Sequence, residues 1–384
     1  MTSSESPLAS SYRELLKRHG FDIPSYIRAT FSTLQELQRA MIALDESTGI
    51  TTSPQEFEPR DVDSVNRGYN GLLQETAIKI EQSIRNLRLR LEHDVFVGEF
   101  PTSSINAQAR RVHSGVLVLI NRGLMTFLYE VLKVTSLSWQ FADFQSGRPV
   151  VESAVGDSGR DPDEIGECLA DLILAYVAGT ARQNPAAIAP GYSKSIMIGS
   201  LLDQCERFVV AHEYGHILMG HLDKPRYRSV TTAVGDIEFV FKDWEMEFEA
   251  DEMAAQVVLD SVPRVIDDQK KSFALQIAVN GPLMLFALDE LLTKAWNECQ
   301  GLRGFPLVTD HPPPMLRAAA LCTYFERSGI PESAIPLVRA NVDWILSMET
   351  RILKGTDGSV SATISPPRCP LQLFRRSTAN FSVC

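Results

Sequence analysis

Five residues, His-Glu-Tyr-Gly-His at 212–216, constrain the fold of this chain more than any other feature of its sequence. Residues four apart on an α-helix lie on one face, so His212 and His216 can bind a single metal ion. The apolar residues before them recur at helical spacing, and the same step leads to both histidines. We therefore predict a helix whose buried face carries the two imidazoles, with Glu213 beside them as the base that activates a water molecule. Two core histidines bonded to backbone groups are the alternative, which leaves buried polar atoms to satisfy.

A third ligand is needed, because a catalytic zinc ion usually takes three protein ligands and keeps a fourth position for water. Residues 243–259 are rich in helix formers and lack Gly and Pro, which predicts a second helix. Glu247 and Asp251 share a small, apolar face of that helix, where an acid requires a partner. We prefer Glu247 as the third ligand and expect Asp251 to support a ligating histidine. Glu249 remains an alternative ligand, although its spacing places it on a polar stripe that is most simply exposed to solvent.

His221 is the nearest further histidine, but its spacing differs from the three-histidine pattern of the metzincins. That pattern requires Gly at 219 and His at 222, where this chain has Met219 and Leu222. We expect His221 at the surface or behind the ligands, near the helix end, where the helix dipole favours a cation. If it were a fourth ligand, it would close the site and indicate a structural zinc ion.

Three motifs together resemble those of the gluzincin zinc metallopeptidases, particularly the HtpX-like and CaaX-prenyl-protease group. That group carries HExxH on one helix and E-x-x-A-D on a later one, which corresponds here to residues 247–251 with Glu247 in the ligand position. It also carries H-P-P-x-x-x-R, which residues 311–317 match. The resemblance implies that His311 stabilises the developing oxyanion and that Arg317 helps to hold the acidic groups of the site.

The resemblance covers residues 104–134 and 200–325, and it implies a zincin-like α+β fold that is predominantly helical with a small edge sheet. A weaker match begins at Asn106-Ala107 and makes Val116–Ile120 the edge strand with which a substrate backbone pairs. An ordinary buried strand is the alternative. The chain departs from the best-known members because it lacks their membrane-spanning helices. The short separation between the HExxH and E-x-x-A-D motifs is closer to that of the ImmA/IrrE-type regulatory peptidases.

We divide the chain into an N-terminal helical region at 1–100, a zincin-like metallopeptidase domain at 101–354 and a poorly ordered tail at 355–384. Helical periodicity over 27–45 and 62–93 predicts a hairpin of two helices within the first region. This hairpin packs on the catalytic core or recruits a partner.

Two further helices are predicted at 265–280 and 283–298, and we expect them to be separated at Gly281-Pro282 because proline interrupts a helix. The Gly and Pro content of residues 183–195 predicts a loop. This loop is either a lid over the active site or a static connection.

Net charge, apolar stretches and cysteine spacing argue against several classes of protein. The net charge of −11 argues against general nucleic-acid binding, which needs a basic face. We see neither a secretory signal nor a stretch apolar enough to span a membrane. The six cysteines are scattered without a CxxC pair, which is typical of reduced thiols in a cytoplasmic protein.

We therefore expect a cytoplasmic zinc endopeptidase that binds one Zn²⁺ through His212, His216 and Glu247. It would hydrolyse peptide bonds of a protein or peptide substrate, with no nucleic-acid partner and no membrane span. Two alternatives remain open. One is a regulatory peptidase that cleaves a single partner, such as a repressor or a stress or defence factor. The other is a non-catalytic scaffold stabilised by zinc, which the intact Glu213 disfavours because a structural site does not require that acid.

Overall fold

The fold is mainly helical with a small sheet, so the predicted α+β class that is predominantly helical is confirmed. The computed structural model describes residues 6–19, 63–138, 140–141, 151–152, 162–178, 192–223, 235–262, 268–299, 311–330, 342–343 and 345–352. The helix predicted at 27–45 and the tail at 355–384 lie outside these residues, as does most of the loop predicted at 183–195.

Eight α-helices have defined bounds in the described part of the chain, and further α-helical residues lie between 342 and 352. The eight helices are α1 (Pro7–Arg18), α2 (Asp63–Asn86), α3 (Arg122–Thr135), α4 (Pro162–Val177), α5 (Tyr192–Leu218), α6 (Gly235–Asp260), α7 (Asp268–Cys299) and α8 (Pro314–Arg327). Short 3-10 turns follow α3 at Ser136–Ser138 and α5 at His221–Asp223. The helices predicted around the HExxH and E-x-x-A-D motifs correspond to α5 and α6.

A three-stranded sheet contains β1 (Val95–Phe100), β2 (Ala107–Val112) and β3 (Gly115–Asn121) in the order β1-β3-β2. Strand β3 runs parallel to β1 and antiparallel to β2. The prediction that Val116–Ile120 forms the edge strand is therefore wrong, because this segment is the centre of β3. A two-residue turn folds β2 directly back onto β3, and the unbroken apolar run of β3 is buried on both faces. A separate two-stranded ribbon pairs β4 (Gln140–Phe141) with β5 (Val151–Glu152).

The two faces of β3 bury different parts of the protein, because successive side chains of a strand point in opposite directions. Leu117 and Leu119 pack against the apolar face of α1, which includes Tyr12. Val116, Val118 and Ile120 belong instead to the main core, which contains α2, α3, α5 and α7. The sheet is thus covered by α1 on one side and by the bundle that carries the HExxH helix on the other.

Helices α5 and α6 pack with their backbones unusually close, and the residues at the crossing are small. A Cβ atom added to Gly215 would lie 2.8 Å from the carbonyl oxygen of Ala250 and 2.9 Å from its Cα. Ala250 and Ala254 are fully buried at this interface. Glycine within the HExxH motif therefore lets α6 approach the two histidines.

Helix α7 is continuous through Gly281-Pro282, so the predicted break there is wrong. Proline lacks the backbone N–H that would form a hydrogen bond within the helix. Packing against the neighbouring helices α5, α8 and α4 nevertheless keeps α7 helical through this point. Gly281 packs against α5, where an added Cβ would lie 3.0 Å from Cβ of Gln204. The thiol of Cys205 donates to the carbonyl oxygen of Gly281 at 3.4 Å. Packing of the surrounding bundle thus outweighs the local tendency to break.

One helical segment among the described residues, Phe273–Cys299 of α7, has the length and apolar composition that a membrane span requires. Most of its apolar window, 67%, is buried inside the fold. It contacts α5, α8 and α4, and this position in the core accounts for its composition.

Candidate metal centre

Helices α5 and α6 bring two imidazoles and one carboxylate together. Nε2 of His212 lies 3.1 Å from Nε2 of His216. Glu247 lies 3.4 Å from each of these nitrogens, through a different carboxylate oxygen in each case. Two donors that bind one zinc ion tetrahedrally at about 2.0–2.1 Å are about 3.3 Å apart, so the observed separations suit such an ion.

Two buried polar atoms here form no well-directed hydrogen bond with any described residue: Nδ1 of His212 and Oε2 of Glu247. Such atoms are rare, because each unsatisfied group costs about 1–3 kcal/mol. Oε2 of Glu247 has ion-pair contacts of 3.0–3.4 Å with His212, His311 and Arg317, and a cation between the three side chains would bind it directly. A donor set of two imidazoles and a carboxylate suits zinc and other first-row metals. The residues therefore fit a metal ion.

The carboxylates around His212 control its protonation in the metal-free protein. Burial alone would lower the pKa of His212, but the close contacts with Asp251 and Glu247 outweigh it and raise the pKa to about 10. Burial would raise the pKa of Glu247, whereas His212, His216 and His311 together hold it well below its usual range. A metal ion must therefore displace a proton from His212 at neutral pH, which makes metal affinity increase with pH.

Asp251 supports His212 and is itself held by Arg317 of α8. Oδ1 of Asp251 lies 2.9 Å from Nδ1 of His212. The guanidinium group of Arg317 donates two hydrogen bonds of 2.7 Å, one to each carboxylate oxygen of Asp251. Its Cζ lies 4.6 Å from the ring centroid of Phe286 in α7. A bidentate ion pair of this kind restricts the orientation of both side chains, so Arg317 orients the carboxylate of Asp251 toward His212.

His311 reaches the same cluster from the residues that precede α8. Its Nδ1 lies 3.0 Å from Oε2 of Glu247. Desolvation favours the neutral imidazole, but the contact with Glu247 outweighs it and raises the pKa of His311. The side chain of His311 is 56% exposed, so it is open to solvent as well as in contact with Glu247. The structure thus brings both residues of the H-P-P-x-x-x-R match, His311 and Arg317, to the ligands.

Glu213 lies between the two histidines in α5 and is buried. Among the residues that the structure describes, it has no hydrogen-bond or ion-pair partner. Its carboxylate therefore forms no contact in the described part of the chain that would compete with a water molecule for its oxygens.

His221 is buried behind His216, which excludes the surface position and agrees with the other position expected for it, behind the ligands. Its Nδ1 lies 2.9 Å from Nδ1 of His216, and its Nε2 lies 2.9 Å from Oε2 of Glu249. Glu249 therefore contacts His221 and lies outside the group of ligands, which contains Glu247. The side chain of Glu249 is 37% exposed, in agreement with its place on the polar stripe of α6. A helical projection of α6 shows only which residues share a face of that helix. It does not show that the 3-10 turn after α5 brings His221 into contact with Glu249.

Two residues of α7 belong to the surroundings of the site but do not stand out in the sequence. Phe286 packs against Arg317, as described above. Burial raises the pKa of Asp289, and the charges of Arg317 and His311 oppose that increase. The only signal for Asp289 was an acid within an apolar helical run, a pattern with many explanations.

Strand β2 forms the sheet edge beside the HExxH helix, since it pairs with β3 on one side and contacts α5. Among the described strands, none pairs with its other side. Arg111 of β2 forms an ion pair of 2.7 Å with Asp223 in the turn after α5 and lies 3.0 Å from Nε2 of His93. The edge strand is thus tied to the end of the helix that carries the ligands.

Comparisons with known proteins identify no relative. No protein-family model matches the chain, and neither a curated protein nor a solved structure matches it. The chemistry of the site is therefore the basis for assigning a function.

Proposed function

We propose that this chain is a zinc-dependent endopeptidase that binds one Zn²⁺ through His212, His216 and Glu247 and hydrolyses peptide bonds of a protein or peptide substrate. The observation that carries the proposal is the proximity of these three side chains to Glu213, a buried residue of α5 that has no hydrogen-bond or ion-pair partner among the described residues. Three protein ligands leave a position for water or substrate, as catalytic zinc sites require.

Each surrounding residue has a role in hydrolysis. Zinc held by the three ligands supplies Lewis acidity, which polarises a carbonyl group and makes a water molecule more acidic. Glu213 removes a proton from that water as its oxygen bonds to the carbonyl carbon, and returns the proton to the leaving amine when the carbon–nitrogen bond breaks. His311 turns toward the carbonyl oxygen and donates a hydrogen bond where negative charge develops. Arg317 keeps Asp251 oriented toward His212.

The position of β2 supports a peptide substrate. An extended peptide can add to the free side of an edge strand through backbone hydrogen bonds, whatever its side chains. Because β2 lies beside α5, a peptide added there would run past the ligands. The two helices that carry His212, His216 and Glu247, with the adjacent edge strand, support the proposal of a zincin-like core.

A non-catalytic zinc scaffold is disfavoured by the position of His221. A closed structural site needs a fourth ligand, for which His221 was the candidate. Its nitrogens instead contact Nδ1 of His216 and Glu249, on the side away from the ligating Nε2. A broad peptidase and a regulatory peptidase would share every residue of the site, and they differ in how many substrates they cleave.

Glu213→Gln separates metal binding from hydrolysis. We expect the zinc-loaded variant to retain about one zinc per chain and to cleave at least about a hundredfold more slowly, because it lacks the base. The assay compares zinc content with the cleavage of a proteome-derived peptide mixture, followed by mass spectrometry. Glu245→Gln, an exposed position on α6 outside the cluster, is the matched control and should cleave like the wild type.

Wild-type rates in Glu213→Gln would remove this residue as the base. Zinc-loaded wild-type protein that cleaves no peptide in the mixture would refute a broad endopeptidase and favour a regulatory peptidase with a single partner.

A further inference from the structure

His216, His221 and Glu249 lie in a row, with each side chain within hydrogen-bond distance of the next. We propose that Glu249 and His221 hold His216 in the tautomer that binds metal, and we call this pair the His221–Glu249 relay. The proposal rests on the metal centre described above. It assigns a positioning role to two side chains that do not bind the metal themselves.

The direction of the relay follows from which ring nitrogen of His216 faces the ligands. Its Nε2 lies at the cluster and must be free of hydrogen to bind a metal, so the neutral ring carries its hydrogen on Nδ1. That hydrogen points at Nδ1 of His221, 2.9 Å away, which must then accept. A neutral His221 consequently carries its own hydrogen on Nε2 and donates it to Glu249 at 2.9 Å.

Glu249 makes this arrangement the favoured one. A carboxylate without a hydrogen can only accept, so it selects the tautomer of His221 with hydrogen on Nε2. That tautomer has a lone pair on Nδ1, which selects the tautomer of His216 with hydrogen on Nδ1. Ligating histidines commonly donate their second N–H to a carboxylate, and here an imidazole is inserted between the two groups.

The backbone after α5 positions His221 for this role. Gly220 has a φ of 66°, the left-handed conformation that ends many helices, and it turns the chain back toward α6. His221 then begins the 3-10 turn, and Asp223 at the end of that turn is held by Arg111 of β2. The side chain of His221 is only 3% exposed, so water competes little for its two hydrogen bonds.

The two ligand histidines thus depend on different acids of the same helix. His212 faces Asp251 directly, whereas His216 reaches Glu249 through His221. Glu249 also lines an open cavity of about 410 Å³ beside Trp244, Phe248 and Leu316, and its side chain is 37% exposed. Substitution of Glu249 therefore tests the relay without creating a hole in the core.

The test measures zinc affinity by competition with a chelator in four variants. His221→Leu removes the acceptor for His216 and should weaken zinc binding about 10- to 100-fold. His221→Asn can place an amide oxygen near the position of Nδ1 and should recover most of that loss. Glu249→Gln keeps an acceptor but loses the charge that selects the tautomer, so a loss of about three- to tenfold is expected. Glu245→Gln removes the same charge elsewhere on α6 and should bind zinc like the wild type.

A second readout observes the tautomers directly. In zinc-loaded wild-type protein with ¹⁵N-labelled histidine, long-range proton–nitrogen spectra should show hydrogen on Nδ1 of His216 and only on Nε2 of His221. Hydrogen on Nδ1 of His221 would overturn the relay, even if His221→Leu failed to fold. Equal zinc affinity of Glu249→Gln and Glu245→Gln would overturn it as well.

Both readouts are independent of peptide cleavage. A wild-type protein that binds no zinc would refute the proposed function, and the relay with it. Normal zinc binding combined with the wrong tautomers would refute the relay alone.

Discussion

Replacing Gly215 with alanine tests how closely α5 and α6 must pack for the ligands to meet. The added Cβ would lie 2.8 Å from the carbonyl oxygen and 2.9 Å from Cα of Ala250. Non-bonded carbon atoms prefer separations of about 3.5–4.0 Å, so α6 must retreat by roughly 0.5–1 Å. Glu247 lies one helical turn from Ala250 and must move with it, away from His212 and His216.

Two effects of opposite sign determine the change in stability. Overpacking of this kind costs about 1–3 kcal/mol. Alanine in place of glycine inside a helix contributes about 0.8–1.0 kcal/mol of stability. The free energy of unfolding should therefore fall by up to about 2 kcal/mol in the metal-free protein. Zinc affinity should fall by about tenfold or more, because such sites require placement within about 0.5 Å.

Gly199→Ala is the matched control, since it lies in the same helix with nothing within 4 Å of an added Cβ. We expect this variant to gain about 0.5–1 kcal/mol of stability with unchanged zinc affinity. Thermal unfolding of the metal-free proteins by circular dichroism and chelator competition provide the two measurements. If Gly215→Ala matched Gly199→Ala in both, the close approach of the helices would not be what positions Glu247.

Three further predictions concern the same region. Glu247→Ala should lose zinc almost completely by elemental analysis, and full retention would mean that another residue is the third ligand. Arg317→Met should destabilise the protein by about 3–5 kcal/mol in denaturant unfolding, because it removes both guanidinium hydrogen bonds of the buried Asp251; an unchanged transition would contradict this. Burial raises the pKa of Glu206 in α5 to about 7, above the 4.5 of an unperturbed group, although its hydrogen bond from Thr76 opposes the shift. The folded chain thus binds more protons than the unfolded one between these values, so stability falls as pH rises from about 4.5 to 7. Glu206→Gln should remove up to about 3 kcal/mol of that dependence, measured by unfolding at pH 5 and 8, and a wild-type pH profile in this variant would refute the assignment.

The candidate metal cluster could be predicted from sequence because helical spacing and the polarity of helix faces select its side chains. His212 and His216 follow from a fixed step of four residues, and the preference for Glu247 over Glu249 followed from which face of α6 is small and apolar. The meeting of α5 and α6 was suggested only by the motifs they carry. The sequence of neither helix shows which other helix it crosses. The role of Gly215 in this crossing is visible only in the structure, where it lies against Ala250.

Features that depend on how elements assemble were the ones that sequence reasoning missed. The apolar run of β3 indicates a buried strand, but the order β1-β3-β2 depends on which strands pair with it. Pro282 disrupts a helix locally, yet the surrounding bundle keeps α7 continuous. The contact between His221 and Glu249 depends on the turn at Gly220, which a helical projection does not include.

Arg317 follows α5 and α6 in the sequence, and this order has a consequence for biosynthesis. A ribosome makes α5 and α6 first, so the two ligand helices leave it while α8 is still to be translated. During that interval Asp251 lacks the guanidinium group that orients it, and His311 has not yet been added beside Glu247. The nascent protein therefore carries its ligands before the groups that organise them. If the complete site cleaves peptides, this order of synthesis delays its maturation until α8 has been made.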